Sequence, residues 1–420
     1  MYPKRRNPEQ KGVFNMPQKF EMQKLNNYPV VVFHGFAGVG EDELIYKVAP
    51  YFGWINNVNI KKFYERLGTD FYCPSLSSVA SMWDRCCEMY AHIVGGTVDY
   101  GKAHSEKYGH KRFGRTYEAL IPDWGELDEE GKIKKVNLMG HSYGGPTVRY
   151  FVHLMTVGDE AERAATPEDE LSGLFKGGYA NWIHSVTTLA GANDGISFMY
   201  GQEKLVRPFA TIGLIDVSFM DSTKLVTRFY DFMMDEWGIT MNPQTGEKRA
   251  KNWYKRIKDY IDCMDDNCIG DLTIHRFRER SKDWECQPNI YYFAYYASKT
   301  KPNKKGYYFP DGRMFIVLKP FCYMIGRYNG TKADANHAET GLEWRETDGL
   351  VNVMSGRAPR SKPWTPYTCD ADIKPGIWID MPVEDKDHMS YCGSGESREE
   401  YATYFYEMLH RICNLPALDQ

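Results

Sequence analysis

Short apolar runs that end in glycine or polar residues recur along the chain, and they predict the buried strands of a parallel sheet. These runs are residues 28–33, 71–74, 135–139, 182–190, 289–296, 314–318 and 374–381. Apolar residues take helical spacing after position 147, at 225–233 and at 397–412. This pattern predicts an α/β fold with a mostly parallel central sheet and helices on both faces.

A Gly-x-Ser-x-Gly motif lies between one predicted strand and the helix that follows it. Gly140 and Gly144 flank Ser142 at two residues on either side. Small residues at these positions let strand and helix approach at a sharp turn that leaves the serine hydroxyl protruding. An ordinary Ser/Gly-rich turn is the alternative. Because a predicted strand precedes the motif and a predicted helix follows it, we interpret Ser142 as a nucleophile. The amide of Tyr143, at the helix start, is a candidate oxyanion donor.

The first predicted strand runs into a glycine-containing loop, residues 34–40. In the α/β-hydrolase fold such a loop supplies the second oxyanion donor, which makes the N–H of Phe36 the candidate. A phosphate-binding loop is the alternative. It is disfavoured because no Gly-Lys-Ser/Thr sequence follows.

A serine nucleophile needs a base to take its proton and an acid to orient that base. In the α/β-hydrolase arrangement the acid and then the histidine follow the serine along the chain. Asp348, in a turn after the later strands, and His388, after the last strand, have this order. Asp194 is the rival acid, but its loop comes only one strand after the nucleophile.

Composition limits the other classes of function. The 420 residues carry a net charge of −4 with both signs interspersed, so nothing favours nucleic acid as a partner. Aromatic residues make up 15% of the chain, which suits apolar substrates and a well-filled core equally. No apolar run is long enough to span a membrane. The ten cysteines lack paired metal spacing, and Cys263 and Cys268 form the nearest candidate disulfide.

Three segments depart from the regular pattern of strands and helices. Residues 1–27 form a polar extension without the apolar run of a secretory signal, so the protein stays inside the cell or has lost a signal. Residues 28–420 are expected to form a single domain with a long insertion at 75–120 and a helical region at about 196–240. Within that region, residues 198–219 have the pattern of a movable lid or of a core helix.

The insertion also carries candidate metal ligands. Asp84, His104 and His110 lie within it, and Asp235 follows in a later acidic stretch. Two imidazoles and two carboxylates suit tetrahedral Zn²⁺. A site closed by four protein ligands would be structural, because a catalytic zinc keeps one position open for water.

Several stretches together resemble the thermoalkalophilic, zinc-containing bacterial lipases, relatives of the staphylococcal lipases. They are residues 28–38, 83–91, 94–104, 109–117, 140–145 and 230–238. The resemblance implies an α/β-hydrolase fold and a secreted triacylglycerol lipase with a helical lid. It also implies the catalytic, oxyanion and zinc residues named above, namely Ser142, Asp348, His388, Phe36, Tyr143, Asp84, His104, His110 and Asp235.

The chain departs from that family at two places. Tyr143 stands where the family usually has Gln, which leaves the backbone amide available. The acidic positions of the family's calcium site are occupied here by Ser390 and the Gly-Ser-Gly run at 393–395, which argues against Ca²⁺ at that place.

The sequence thus predicts a carboxylic ester hydrolase that acts at a lipid–water interface, most simply a triacylglycerol lipase. A short-chain carboxylesterase of the same fold is one alternative. A zinc-dependent hydrolase that uses the metal ligands for chemistry is another, and a catalytically inert hydrolase scaffold used for binding is the third.

Overall fold

The architecture of the chain is that of a computed structural model, in which residues 22–200, 215 and 224–418 are described. Its strands are β1 (Val30–Phe33), β2 (Phe71–Tyr72), β3 (Gly96–Asp99), β4 (Phe113–Tyr117), β5 (Val136–His141), β6 (Ile183–Leu189), β7 (Tyr291–Tyr295), β8 (Thr300–Pro302), β9 (Tyr308–Pro310), β10 (Trp364–Pro366) and β11 (Trp378–Asp380).

The described α-helices follow in the same chain order. They are α1 (Leu44–Val48), α2 (Ile60–Arg66), α3 (Met82–Val94), α4 (Lys102–Tyr108), α5 (Gly144–Val157), α6 (Glu160–Ala165), α7 (Gly173–Lys176), α8 (Lys224–Phe229), α9 (Trp253–Asp262), α10 (Cys268–Asp271), α11 (Ile274–Ser281), α12 (Lys319–Ile325), α13 (Val353–Gly356) and α14 (Arg398–Cys413).

Seven strands form one sheet in the order β10-β11-β7-β6-β5-β1-β2, and every neighbouring pair in it is parallel. Ser142 directly follows the last residue of β5, so its turn lies at the carboxyl edge of the sheet. Because β5 lies next to β1 in the interior, this turn is away from both edge strands. Parallel sheets bind ligands at this edge. The prediction of an α/β-hydrolase fold is confirmed.

Alternating side chains of β1 show how the sheet is covered on both faces. Val31 and Phe33 join a buried cluster with helices α3 and α5 on one face. Val30 and Val32 join a second cluster on the other face with helices α2 and α14. Because both faces are buried, the strands are continuous apolar runs rather than alternating ones. The central strands are recognisable in the sequence for this reason.

Two predicted elements take a different form. The apolar run 314–318 is not a strand; its last three residues form a 3-10 helix that leads into α12, and Ile316 and Val317 are exposed. A five-residue apolar run cannot by itself distinguish a strand from a helix start, and Pro320 favours the first turn of α12. The helix predicted over 225–233 ends at Phe229.

The insertion at 75–120 folds as α3, the antiparallel pair β3–β4 and α4. It packs with residues near 234–277 in a third buried cluster, which also includes Tyr143. Most of the predicted lid, residues 198–219, lies outside the described residues, as does most of the 1–27 extension.

All ten cysteines are free thiols, so the suggested Cys263–Cys268 disulfide is absent. Among the described residues, no helix is long and apolar enough to cross a membrane.

The segment before β1 is fastened to the end of α14. The amides of Leu25 and Asn26 donate to the carbonyl of Cys413 at 2.9 and 3.1 Å. The Asn26 side-chain amide donates to the carbonyls of Ile412 and Leu415, each at 3.0 Å. These contacts satisfy carbonyls that a helix end leaves without partners.

Candidate active site and metal centre

The turn between β5 and α5 has the geometry of a nucleophile elbow. Ser142 has a φ of 57°, in the left-handed region that non-glycine residues seldom adopt. Its amide donates to the carbonyl of Leu189 on β6 at 3.0 Å, which holds the strained residue in place. A Cβ at Gly140 would lie 2.2 Å from the carbonyl oxygen of Gly144, and a Cβ at Gly144 would lie 1.9 Å from that of Phe33. The two glycines are therefore required by the close approach of strand and helix.

The amides of Phe36 and Tyr143 are the two predicted oxyanion donors. In the part of the chain that the structure describes, neither N–H donates to a protein acceptor. The loop that carries Phe36 is held by its neighbours, since the amide of Ala37 donates to the carbonyl of Ser78 at 3.1 Å and that of Gly35 to the Tyr51 hydroxyl at 2.7 Å. Both free amides thus belong to fixed backbone, as oxyanion stabilisation requires.

His388 and Asp348 are brought together by the fold. The Nδ1 atom of His388 lies 2.8 Å from Oδ2 of Asp348, and both side chains are buried. The other carboxylate oxygen of Asp348 accepts the amides of Leu350 and Val351 at 2.9 and 2.7 Å. An ionised Asp348 would therefore hold the proton of His388 on Nδ1 and leave Nε2 free as a base.

His141 joins the serine turn to the His388 loop. Its ring centroid lies 4.8 Å from that of His388, and its Nε2 is 3.3 Å from the His388 carbonyl oxygen. On the other side, Nδ1 lies 2.6 Å from the Tyr51 hydroxyl. Burial, and then the neighbouring His388, hold the pKa of His141 well below its ordinary value. A neutral His141 thus packs under His388 without competing for its proton.

Asp194, the rival acid, has a different partner. Its two carboxylate oxygens accept from Nε and Nη2 of Arg278 at 2.8 and 2.6 Å. This bidentate pair orients Asp194 towards α11. Asp348 is therefore the carboxylate that contacts the candidate base.

Asp84, His104, His110 and Asp266 form a buried cluster whose potential ligand atoms all lie within 4.8 Å of one another. The His104 Nε2 atom is 3.6 Å from Asp84 Oδ1 and 3.2 Å from Asp266 Oδ1, and His110 Nε2 is 3.4 Å from Asp266 Oδ2. Ligand atoms around tetrahedral zinc lie about 3.3 Å apart, given bonds of about 2 Å. The spacing therefore fits a metal ion at the centre.

The potential ligand atoms of this cluster are not engaged in hydrogen bonds with the rest of the described chain. Both carboxylate oxygens of Asp84 and of Asp266, and Nε2 of His104 and of His110, are buried and have no hydrogen-bond partner in the part of the chain that the structure describes. Buried polar atoms are seldom left unpaired. The opposite nitrogen of His110, Nδ1, lies 2.9 Å from the carbonyl oxygen of Lys111, the kind of second contact that orients metal-binding histidines.

The charges in the cluster perturb one another strongly. Burial, and then the Asp266 carboxylate, raise the pKa of Asp84. Burial also disfavours the ionised Asp266, but the two imidazoles outweigh it and hold the pKa of Asp266 well below its usual range. Burial lowers the pKa of His104, whereas Asp266 and Asp84 together raise it to about 9. A divalent cation would replace the protons that these four groups otherwise share.

The prediction of Asp235 as the fourth ligand is wrong. One oxygen of Asp235 accepts from the guanidinium of Arg115, at 2.9 Å from Nε, and the other accepts from Asn242 Nδ2 at 2.9 Å. Asp266 occupies the place instead. It lies in the loop between α9 and α10, directly before the helix-capping residue Asn267, and the sequence offers no sign of which acidic loop folds back onto α3.

The parallel sheet and the strained serine turn define a protein of the α/β-hydrolase class. Residues 26–415 match the family described as "Lipase-like, C-terminal domain". The chain belongs to this lipase-like family.

Two curated relatives are named as lipases. The chain is 34% identical to Lipase 1 of Staphylococcus aureus (strain NCTC 8325 / PS 47), an alignment that covers 92% of this chain and 54% of the relative. It is 33% identical to a lipase of Staphylococcus epidermidis, where the alignment covers 89% and 51%. The chain therefore spans about half the length of the curated relatives it matches.

Solved structures agree with the family assignment. Staphylococcus hyicus lipase superimposes with a TM-score of 0.76 at 30% identity, covering 92% of this chain and 96% of the lipase. Lipase 1 from Pelosinus fermentans gives 0.75 at 34% identity, with coverage of 93% and 99%. EstA from Clostridium botulinum gives 0.76 at 31% identity, with coverage of 94% and 90%.

The elbow geometry leads to a prediction about Gly144. We expect Gly144→Ala to lower the free energy of unfolding by about 2 kcal/mol or more, because the new Cβ would overlap the Phe33 carbonyl. Gly312→Ala is the matched control, since a Cβ there meets no described atom within 4 Å. Urea unfolding followed by near-UV circular dichroism measures both. Equal midpoints for the two variants would contradict the proposed close approach.

Proposed function

We propose that this chain is a carboxylic ester hydrolase, and specifically a triacylglycerol lipase, with Ser142, His388 and Asp348 as its catalytic triad. The observation that carries the proposal is the buried His388–Asp348 pair at 2.8 Å, whose histidine packs on His141, the neighbour of the elbow serine. Membership of the lipase-like family supports the same reaction class.

In the proposed mechanism, the Ser142 oxygen attacks the carbonyl carbon of the ester while His388 Nε2 takes the hydroxyl proton. Asp348 keeps the imidazole in the required tautomer and stabilises its positive charge. The tetrahedral intermediate collapses when His388 passes the proton to the leaving alcohol. Water, deprotonated by the same histidine, then releases the acid.

The developing oxyanion would be stabilised by the amides of Phe36 and Tyr143. The unused hydrogen-bonding capacity of both N–H groups supports this role. Tyr143 also lies at the amino end of α5, where the helix dipole favours negative charge. The replacement of the family's Gln by Tyr143 leaves this backbone donor unchanged.

A long acyl chain is the substrate that suits the surroundings of His388 best. Buried Met314, Leu318 and Cys322, with Phe315, Leu350 and Met389 packed against them, form an apolar cluster beside the catalytic loops. The family resemblance further supports an extracellular enzyme that works at a lipid–water interface.

We further propose that Asp84, His104, His110 and Asp266 bind a structural Zn²⁺. The ion would supply a cross-link between α3, the α4 region and the loop before α10, and it would stabilise the third core cluster. Four protein donors complete a tetrahedral shell, which favours a structural role over a zinc-dependent hydrolase.

The triad predicts three different effects of substitution. Ser142→Ala should lower kcat at least about 10⁴-fold and prevent labelling by a fluorophosphonate, because the nucleophile is lost. Asp348→Asn should lower kcat by about 10⁴-fold, because an amide does not hold the required tautomer of His388. Asp194→Asn, which removes the rival acid, should leave kcat within about threefold. Steady-state hydrolysis of a p-nitrophenyl ester measures all three variants.

A fully active Ser142→Ala enzyme would rule out the serine mechanism. Wild-type protein that neither turns over esters nor reacts with the fluorophosphonate would instead support the inert scaffold.

The proposed substrate class is tested by chain length. We expect kcat/KM for p-nitrophenyl palmitate to exceed that for the acetate, together with activity on emulsified triolein, because the apolar surroundings would bind the longer acyl chain. Preference for acetate without activity on the oil would identify a short-chain carboxylesterase.

Metal content separates the two candidate carboxylates. Purified wild-type protein should contain about one zinc per chain, and Asp266→Ala should lose it. Asp235→Asn is the control and should retain the metal, because this residue pairs with Arg115. Elemental analysis gives the content, and thermal unfolding with and without a chelator gives the loss of stability.

If the metal is structural, chelation should lower the unfolding temperature while turnover persists at temperatures where the protein remains folded. Immediate loss of turnover that added zinc reverses, in protein that stays folded, would support the zinc-dependent hydrolase.

A further inference from the structure

Arg85 is a fully buried cation that has no part in the proposed proton transfers. It lies in α3, its exposed fraction is 0%, and it is among the largest completely buried side chains of the described chain. Its Nη2 donates to the carbonyl of His34. Its Nε and Nη1 atoms are buried and find no hydrogen-bond partner within the described ranges 22–200 and 224–418.

No carboxylate of the described residues forms an ion pair with Arg85. Glu88, one turn further along α3, directs its oxygens elsewhere, since they accept from the Ser77 amide at 2.7 Å and the Tyr100 hydroxyl at 3.1 Å. An arginine stays protonated in a protein interior, and a buried charge without a counter-ion is strongly unfavourable. Such a charge requires an explanation beyond packing.

The position of Arg85 provides this explanation, because the residue contacts both backbone segments of the proposed oxyanion hole. His34, whose carbonyl accepts from Nη2, begins the loop that carries the Phe36 amide. The guanidinium carbon also lies 4.8 Å from the ring centroid of Tyr143, the second oxyanion residue. The Tyr143 hydroxyl is fixed in turn by the Ala80 carbonyl at 3.0 Å and Asp271 Oδ2 at 2.7 Å. One side chain thus connects the two donor segments.

We propose that Arg85 is a positioning residue for the oxyanion hole whose missing counter-ion is the negative charge of the tetrahedral intermediate. It holds the two donor segments in place and supplies a positive potential before the reaction begins. This inference rests on the proposed function. It adds the source of the positive potential that stabilises the negatively charged intermediate. It does not place Arg85 in contact with the substrate.

The expected size of the effect follows from electrostatics. A unit charge roughly 9 Å from an oxyanion, at an effective dielectric constant of about 20, changes the rate by a factor of about 20. The effect should fall on kcat, because the ester substrate is neutral and only the intermediate is charged. A residue that merely stabilises the fold would not separate kcat from KM in this way.

The experiment compares Arg85→Lys with Arg85→Gln. Both variants keep a donor for the His34 carbonyl, but only lysine keeps the charge. We expect Arg85→Gln to have a kcat at least about tenfold below that of Arg85→Lys on p-nitrophenyl butyrate, with KM values within about threefold. Arg149→Lys and Arg149→Gln are the matched controls, because Arg149 is also buried but contacts the Asn193 carbonyl and aromatic rings away from the donor loops. Their kcat values should agree within about threefold.

A second measurement does not depend on turnover. A short alkylboronic acid adds to the oxygen of a catalytic serine, whose proton passes to the histidine, and the adduct is a tetrahedral anion. Its dissociation constant should be at least about tenfold weaker for Arg85→Gln than for Arg85→Lys, and equal for the Arg149 pair.

Equal kcat and equal boronate affinity in the two Arg85 variants would overturn the proposal and leave Arg85 as a structural cation. An equal difference within the Arg149 pair would overturn it too, because the effect would then belong to any buried arginine. Failure of the proposed function looks different, since wild-type protein would then lack esterase activity and fluorophosphonate labelling altogether.

Discussion

The close contact between α5 and β1 is the constraint on which the rest of the site depends. Gly144 passes so near the Phe33 carbonyl that only a hydrogen atom fits between them. This contact fixes the approach of α5 to β1 at the turn where Ser142 has its left-handed conformation and where the Tyr143 amide has no acceptor among the described residues. The same strand, β1, continues into the Phe36 loop. One steric limit thus positions the candidate nucleophile and both candidate oxyanion donors together.

The sequence predicts those parts of the molecule that local physics determines. Central strands covered on both faces are continuous apolar runs, and the elbow needs glycines at fixed spacing, so both are recognisable in the sequence. The order of Asp348 and His388 in the sequence predicts their contact, because the fold's connectivity fixes which loops meet. The run at 314–318 does not predict its own structure, because five apolar residues have no periodicity that separates a strand from a helix start. Its middle residues, Ile316 and Val317, are exposed, so burial does not select their conformation.

The candidate metal centre shows where sequence reasoning ends. Asp235 and Asp266 both lie in acidic stretches of the same part of the chain, and composition does not separate them. The two carboxylates differ in their tertiary contacts. Arg115 reaches Asp235 from β4 and satisfies it, whereas Asp266 faces the imidazoles of His104 and His110 and no other polar side chain of the described residues hydrogen-bonds to it. Buried atoms with no hydrogen-bond partner in the described ranges distinguish the two carboxylates, and they set Arg85 apart as well, although its unpaired groups are donors.

The fastening of Leu25 and Asn26 to the end of α14 has a consequence for how the domain can be joined to other polypeptide. These contacts lie before β1, at the amino edge of the sheet, whereas Ser142 and His388 follow the carboxyl ends of their strands. Residues 22–26 therefore lie on the side of the sheet remote from the loops that carry Ser142 and His388. A linkage to a support made at these residues would therefore keep the edge of the sheet that carries the candidate nucleophile turned away from the support.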